Sequence, residues 1–279
     1  MVSIKNLTFS FTKKNKLFNG LNLELATGSI YGLFGLNGAG KTTLLNHMCG
    51  MLFPKEGDCT ISDKSVRERD PETLREIFLL PEQFECPPIS ANEYARVHAP
   101  FYPDFDEKYF QQAMNELLVE PDKRLTELSY GQRKKFLIAF ALATNAKLLL
   151  LDEPTNGLDI PSKSQFRKIM ASSDHSDRCI VISTHQVRDL ESMIDHITVL
   201  NDGKIIFNQN IISISEKLGF EKLAEDENPY QLYSEETFGG KDAILPKKPD
   251  SKETQIDLEL LFNGVIQQTE LINRQFNGE

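Results

Sequence analysis

Residues Gly32–Leu45 read GLFGLNGAGKTTLL: an apolar approach, a loop with glycine at 35, 38 and 40, then Lys41, Thr42 and Thr43 heading a second apolar stretch. Glycines remove the Cβ atoms that would stop successive backbone N–H groups from turning inward. A helix starting directly afterwards points the positive end of its dipole at the same spot. Gly35 to Thr42 keeps the spacing of a glycine, four residues and Gly-Lys-Thr, the pattern of a loop that wraps a phosphate chain. In that reading Gly35, Leu36, Asn37, Gly38, Ala39, Gly40 and Thr43 frame the phosphates. Lys41 brings a point charge to the outer phosphates, and the Thr42 hydroxyl is a magnesium ligand. The pattern needs a strand before the loop and a helix after it, and Ser29–Phe34 and Thr42–Cys49 supply both.

Outward from the loop, Ser3–Leu25 alternates apolar and polar residues around turn signals at Lys13–Lys16 and Asn19-Gly20, which predicts antiparallel strands. Further strands are expected at Ile77–Leu80, Leu148–Leu151, Cys179–Ser183, Ile197–Leu200 and Lys204–Phe207. Helices are expected at Gly131–Ala143, Ser162–Ala171 and Val187–Ile194. Strands alternating with helices give an α/β fold whose mainly parallel sheet is covered on both faces. The segment Pro81–Leu128 breaks that rhythm with two helices, Asn92–His98 and Glu107–Leu118, the second carrying an apolar stripe from Tyr109 to Leu118. It reads as a helical insert at about 84–130. From about Ser213 the composition turns polar and acidic, apart from an amphipathic stretch at Ile256–Val265. The expected layout is a nucleotide-binding domain over 1–212 and a small C-terminal appendage over 213–279.

The 279 residues leave room for one large domain and an appendage, not for two copies of that domain. A net charge of −10 and a pI near 5.1 speak against coating nucleic acid, so no specific nucleic-acid partner is expected. Cys49, Cys59, Cys86 and Cys179 are scattered without zinc or disulfide spacing. No apolar run approaches the ~18 residues that would span a bilayer, and the first residues lack a signal-peptide pattern. The expected setting is cytoplasmic.

A second stretch narrows the chemistry. LLLLDEPTNGLD, Leu148–Asp159, sets two carboxylates at the carboxyl end of an apolar strand, where open α/β sheets place their ligands. Asp152 is positioned to hold magnesium through water, and Glu153 to polarise an attacking water.

LSYGQRKKF, Leu128–Phe136, ahead of LLLLDEPTNGLD resembles the signature and Walker B pair of the ATP-binding cassette ATPases. The family's usual LSGGQ has glycine where this chain has Tyr130. His185 in ISTHQ follows the next strand, as the family's switch histidine would, and the matches run from Val2 to Phe207. The resemblance implies a P-loop NTPase core with an N-terminal antiparallel β subdomain and an inserted α-helical subdomain, hydrolysing ATP with Mg2+. It implies that Ser129, Gly131 and Gln132 face the γ-phosphate bound by a second cassette, so that two copies meet head to tail as a homodimer. Phe11 in LTFSF aligns with the aromatic that stacks on adenine, and His185 with the γ-phosphate contact. In IFLLPEQFECPP, Glu82 stands where the family has glutamine after the proline, and Gln83 comes one place later. Gln83 is taken as the loop's magnesium contact, with Glu82 as the alternative.

FYPDFDEKYF, the short insert and IDLELLF look similar to exporter-type cassettes that pair with a separate membrane permease of about six spans. That resemblance implies an ATPase held peripherally on the inner face of the cell membrane. Phe84, Pro87, Pro88, Tyr94, Phe101, Tyr102 and Phe105 would then offer the permease an apolar groove, or else form the insert's own core. The alternative is a soluble cassette unconnected with transport, for example of the iron-sulfur assembly type.

Overall fold

The computed structural model describes residues 1–12, 15–173, 175–224, 230–247 and 254–277. The chain opens with β1 (Val2–Phe9) and β2 (Phe18–Leu25), passes through β3 (Ser29–Phe34) into α1 (Lys41–Met48), and returns as β4 (Glu56–Ile61) and β5 (Lys64–Ser65). There follow α2 (Pro71–Arg75), β6 (Ile77–Leu80), α3 (Ala91–His98), α4 (Glu107–Glu116) and α5 (Tyr130–Ala143). Next come β7 (Leu148–Asp152), α6 (Ile160–Ser172), β8 (Cys179–Thr184), β9 (His196–Asn201) and β10 (Lys204–Asn210). The chain closes with α7 (Ile211–Lys217), β11 (Leu218–Leu223), β12 (Tyr233–Thr237), β13 (Gly240–Pro246), α8 (Leu258–Gln267) and α9 (Thr269–Asn277). The turn expected at Lys13–Lys16 lies partly outside the described residues.

A six-stranded sheet in the order β10-β9-β3-β8-β7-β6 carries the core, parallel throughout except for the antiparallel edge strand β10. Its central strands are apolar on both faces because helices cover one side and an antiparallel sheet, β2-β1-β4-β5, backs the other. Side chains alternate between the two. Tyr31, Leu33, Leu148, Leu150, Cys179 and Val181 pack with β1, β2, β4 and α1. Ile30, Phe34, Leu149, Leu151, Ile180 and Ile182 pack with α5 and α6. Helix α5 runs Phe136 to Ala143 without an exposed residue, as a helix enclosed on all sides must.

Register decides what meets at the carboxyl ends. Phe34 pairs with Thr184 and Asp152 pairs with Ser183, so the loop after β3, the carboxylates of β7 and the hydroxyls of β8 emerge side by side.

The insert is closed by a capping box at Ser90 and Glu93 and by rings of Tyr94, Phe105, Phe110, Phe136 and Phe140 packed edge to face or tilted. The expected aromatic surface therefore divides. Phe84, Tyr94, Tyr102 and Phe105 lean into the core, whereas Phe101 stays exposed.

Two segments differ from the sequence reading. Val187–Ile194 is not a helix: a single 3₁₀ turn spans Val187–Leu190, and Ser192 then takes a left-handed backbone at φ 69. That reversal lets Leu190, Met193 and Ile194 all turn inward while Asp195 reaches Ile30 N at 2.8 Å to start β9. Beyond Ser213 the chain builds an antiparallel sheet, β11-β13-β12, and two helices. The boundary placed at 212/213 falls inside α7, and Leu258, Leu261, Val265 and Ile272 join the same buried cluster as the parallel sheet.

Leu261 is wholly buried in that cluster. Leu261→Ala should destabilise the chain by about 2–5 kcal/mol, read as one shifted denaturation transition. A separate early transition confined to the C-terminal residues would show that they fold on their own.

Candidate active site

The loop between β3 and α1 takes its shape from backbone conformations that side chains resist. Gly38 sits at φ 82, and Gly40, the residue before α1, at φ 105 with the Phe18 ring 3.0 Å from where a Cβ would lie. The turn leaves the start of α1 facing a cavity of about 310 Å³ lined by Phe11, Leu17, Asn37, Gly38, Gly40, Lys41, Thr42, Thr43, Glu82 and Glu153. Lys41 crosses beneath it. Its Nζ donates to Gly35 O at 2.9 Å and Leu36 O at 3.4 Å, and lies 3.7 Å from Glu153 Oε1. Burial pushes this ammonium's pKa down, with Glu153 and Asp152 opposing the shift.

Asp152 and Glu153 are 1% and 5% exposed, so each needs partners. Thr42 donates to Asp152 Oδ2 at 2.6 Å, and Ser183 donates to its other oxygen. Burial still raises the Asp152 pKa above the ordinary carboxylate value, against these hydroxyls. Glu153 accepts from Thr184 Oγ1 at 2.9 Å and from His185 N at 3.1 Å, and its Oε1 lies 2.8 Å from His185 Nδ1. The backbone of Glu153 is left-handed at φ 45, an unfavourable conformation for a residue with a Cβ and one that recurs at functional sites.

Phe11 projects from the rim 69% exposed, its ring edge-on to Phe9 at 4.9 Å. The loop after β6 divides differently from the sequence reading: Glu82 lines the cavity and accepts from Asn156 Nδ2 at 2.9 Å, whereas Gln83 is exposed and outside it. Gly35, Leu36 and Ala39 belong to the same loop, with Leu36 and Ala39 bordering a neighbouring depression. Ser129, Gly131 and Gln132 do not line the cavity. They form the start of α5, where Ser129 and Gln132 cap each other at 3.3 Å in both directions. Tyr130, the departure from glycine, stacks on Phe84 at 5.3 Å and donates to Glu82 O at 2.8 Å.

Ser183, Thr184 and Lys134 escaped the sequence reading. The hydroxyls stand inside the quoted ISTHQ, where only the histidine drew notice. Lys134 is fully buried against Glu153 O and Asn156 O, and burial pushes its pKa down to about 8 despite nearby Glu82, Glu153 and Asp152.

Comparison with known proteins agrees with this geometry. A family profile described as ABC transporter matches residues 18–156. The bacitracin transport ATP-binding protein BcrA of Bacillus licheniformis is 32% identical over 198 residues, covering 68% of this chain and 64% of that protein. The lantibiotic transport ATP-binding protein SrtF of Streptococcus pyogenes is 31% identical over 211 residues, covering 75% of this chain and 90% of that one. Among solved structures, an ATP-binding subunit of an ABC transporter superposes with a TM-score of 0.67 at 23% identity, over 77% of this chain and 91% of that one, a likeness of fold. With the phosphate loop, the carboxylate pair and the α5 start disposed as described, the chain belongs to the ABC transporter family, as one of its ATP-binding cassettes.

Proposed function

We propose that this cassette hydrolyses ATP with Mg2+ and pairs head to tail with a second copy to drive a separate membrane permease, as the engine of an exporter. The observation that carries the reading is the meeting of Thr42 Oγ1 and Asp152 Oδ2 at 2.6 Å under the loop, with Glu153 beside them. An oxygen-only pair of one hydroxyl and one carboxylate fits Mg2+, which takes few protein ligands and completes its shell with phosphate and water. Such a metal neutralises charge on the phosphates. The loop N–H groups, the start of α1 and Lys41 hold the phosphates, and Phe11 offers its face to the base. Glu82, rather than Gln83, is the side chain of its loop that lines the cavity, where its carboxylate would face the metal rather than the phosphates.

Glu153 acts as the base for the attacking water. Its Oε1 is held by His185 N and lies against the ring Nδ1, so turning the ring toward the γ-phosphate frees a lone pair of that oxygen. Ser129, Gly131 and Gln132 lie away from the chain's own cavity and are left to serve a partner's nucleotide. In this reading the cassette runs to the start of α7, and the described residues beyond it brace it, since α8 lies against the Val187–Leu190 turn and Glu259 pairs with Arg188. The relatives' names, transport proteins for bacitracin and a lantibiotic, support the transporter reading; in that reading the chain sits against the inner face of the cell membrane. No helix among the described residues is long and apolar enough to cross a membrane.

Lys41→Ala should remove measurable ATP binding in calorimetry, and retained micromolar affinity would refute the cradle. Glu153→Gln should keep ATP binding, slow phosphate release by at least about a hundredfold, and accumulate a dimer in Mg-ATP on a sizing column. A strictly monomeric Glu153→Gln protein in saturating Mg-ATP would sink the paired site.

A further inference from the structure

Lys134 is a charged side chain with no access to water and no assigned role. Its Nζ donates to Glu153 O at 2.6 Å and to Asn156 O at 3.1 Å, both on the turn that follows β7. The Tyr130 ring, one helical turn earlier on the same face of α5, lies 5.6 Å from the ammonium. Burying an ammonium against main-chain carbonyls is a poor route to stability, because well-packed apolar residues usually do as well or better. It is an effective route to orientation. The N–H of Glu153 is fixed to Ser183 O at 3.0 Å, and Lys134 fixes its carbonyl, so the peptide planes on both sides of the Glu153 Cα are pinned. With φ held at 45, those two anchors set the direction of the Cα–Cβ bond and hence of the carboxylate facing the cavity.

The same residues reach the other acidic wall of the cavity. Asn156, whose carbonyl Lys134 holds, donates to Glu82 Oε1 at 2.9 Å, and Tyr130 donates to Glu82 O at 2.8 Å. Resting on the assignment of Glu153 as base, we infer that Lys134 is its positioning residue, locking the Glu153 turn to the first turn of α5. Lys134 is fully buried and does not line the cavity, so it acts through Glu153.

The test uses the full-length chain and three variants: Lys134→Met, which keeps length and loses both donated bonds, Lys134→Gln, which can restore one, and Lys134→Met combined with Glu153→Gln. Lys134→Met should lower kcat roughly ten- to a hundredfold while leaving ATP affinity unchanged, since a misplacement of about 1 Å is enough. Lys134→Gln should recover part of that loss, and it carries the test alone if the methionine variant does not fold. The double variant should show the residual rate of Glu153→Gln with no further fall. Unchanged kcat in the Lys134 variants, ATP affinity falling in step with kcat, or an added loss in the double variant would each overturn the inference. A stalled Glu153→Gln beside an undiminished Lys134→Met removes the positioning role alone. An undiminished Glu153→Gln removes the base assignment and this inference with it.

Discussion

Two carboxylates taken out of water side by side, Asp152 and Glu153, set the terms for everything around them. Buried without partners they would take up protons or push the strand end apart. The fold meets that demand through register: β8 lies parallel to β7 with Ser183 opposite Asp152, which brings Ser183 to one carboxylate and Thr184 to the other. A slip of one residue would turn these hydroxyls to opposite faces and take one partner from each acid. The loop then adds Thr42 and Lys41 from one side, and α5 adds Lys134 from another.

The resulting charge balance is uneven. Three acids, Glu82, Asp152 and Glu153, act on two lysines, Lys41 and Lys134, yet the proposed ligand is itself a polyanion. That excess of negative charge is why the helix dipole of α1 and a hydrated divalent cation belong to the same reading. Lys41 is engaged with Gly35 O and sits near Glu153 in this structure, so phosphate entry is an exchange of partners for that ammonium. Both lysines are pushed toward neutrality by burial and drawn back by the acids, which ties their charge to the very groups they support.

What the sequence made legible was local or strongly periodic. GLFGLNGAGKTTLL specified its strand, turn and helix because glycines and a lysine at fixed offsets have few other uses, and LLLLD could only be an interior strand. The misses lie where distant residues decide. Val187–Ile194 has the composition of a helix, but inward packing of Met193 and Ile194 and the demand of Asp195 on Ile30 turn it aside. Between Glu82 and Gln83, backbone position rather than side-chain type selects the cavity-facing residue. Nothing in the sequence singles out Lys134, which sits at the edge of an apolar run, and only the turn after β7, folded back against α5, gives it buried partners.

Tyr130 shows how one departure from a family pattern can tighten a machine. A glycine at this place would bring no side chain of its own; the tyrosine instead stacks on Phe84, bonds the Glu82 carbonyl and lies against Gly157, where a Cβ would come within 2.8 Å of its ring. The contacts continue through Lys134 to Glu153, through Glu153 to His185, and through the 187–190 turn to α8 and the C-terminal sheet. The links from Tyr130 to Glu153 and His185 are hydrogen bonds and ring contacts, whereas the link to α8 is a surface contact beside an open cavity. The α5 start, which the proposed pairing turns toward a partner's nucleotide, is thus tied through Tyr130 and Lys134 to the turn that carries the Glu153 carboxylate. In the proposed pairing, these side chains, rather than the sheet, are what join the α5 start to the carboxylate of the chain's own cavity.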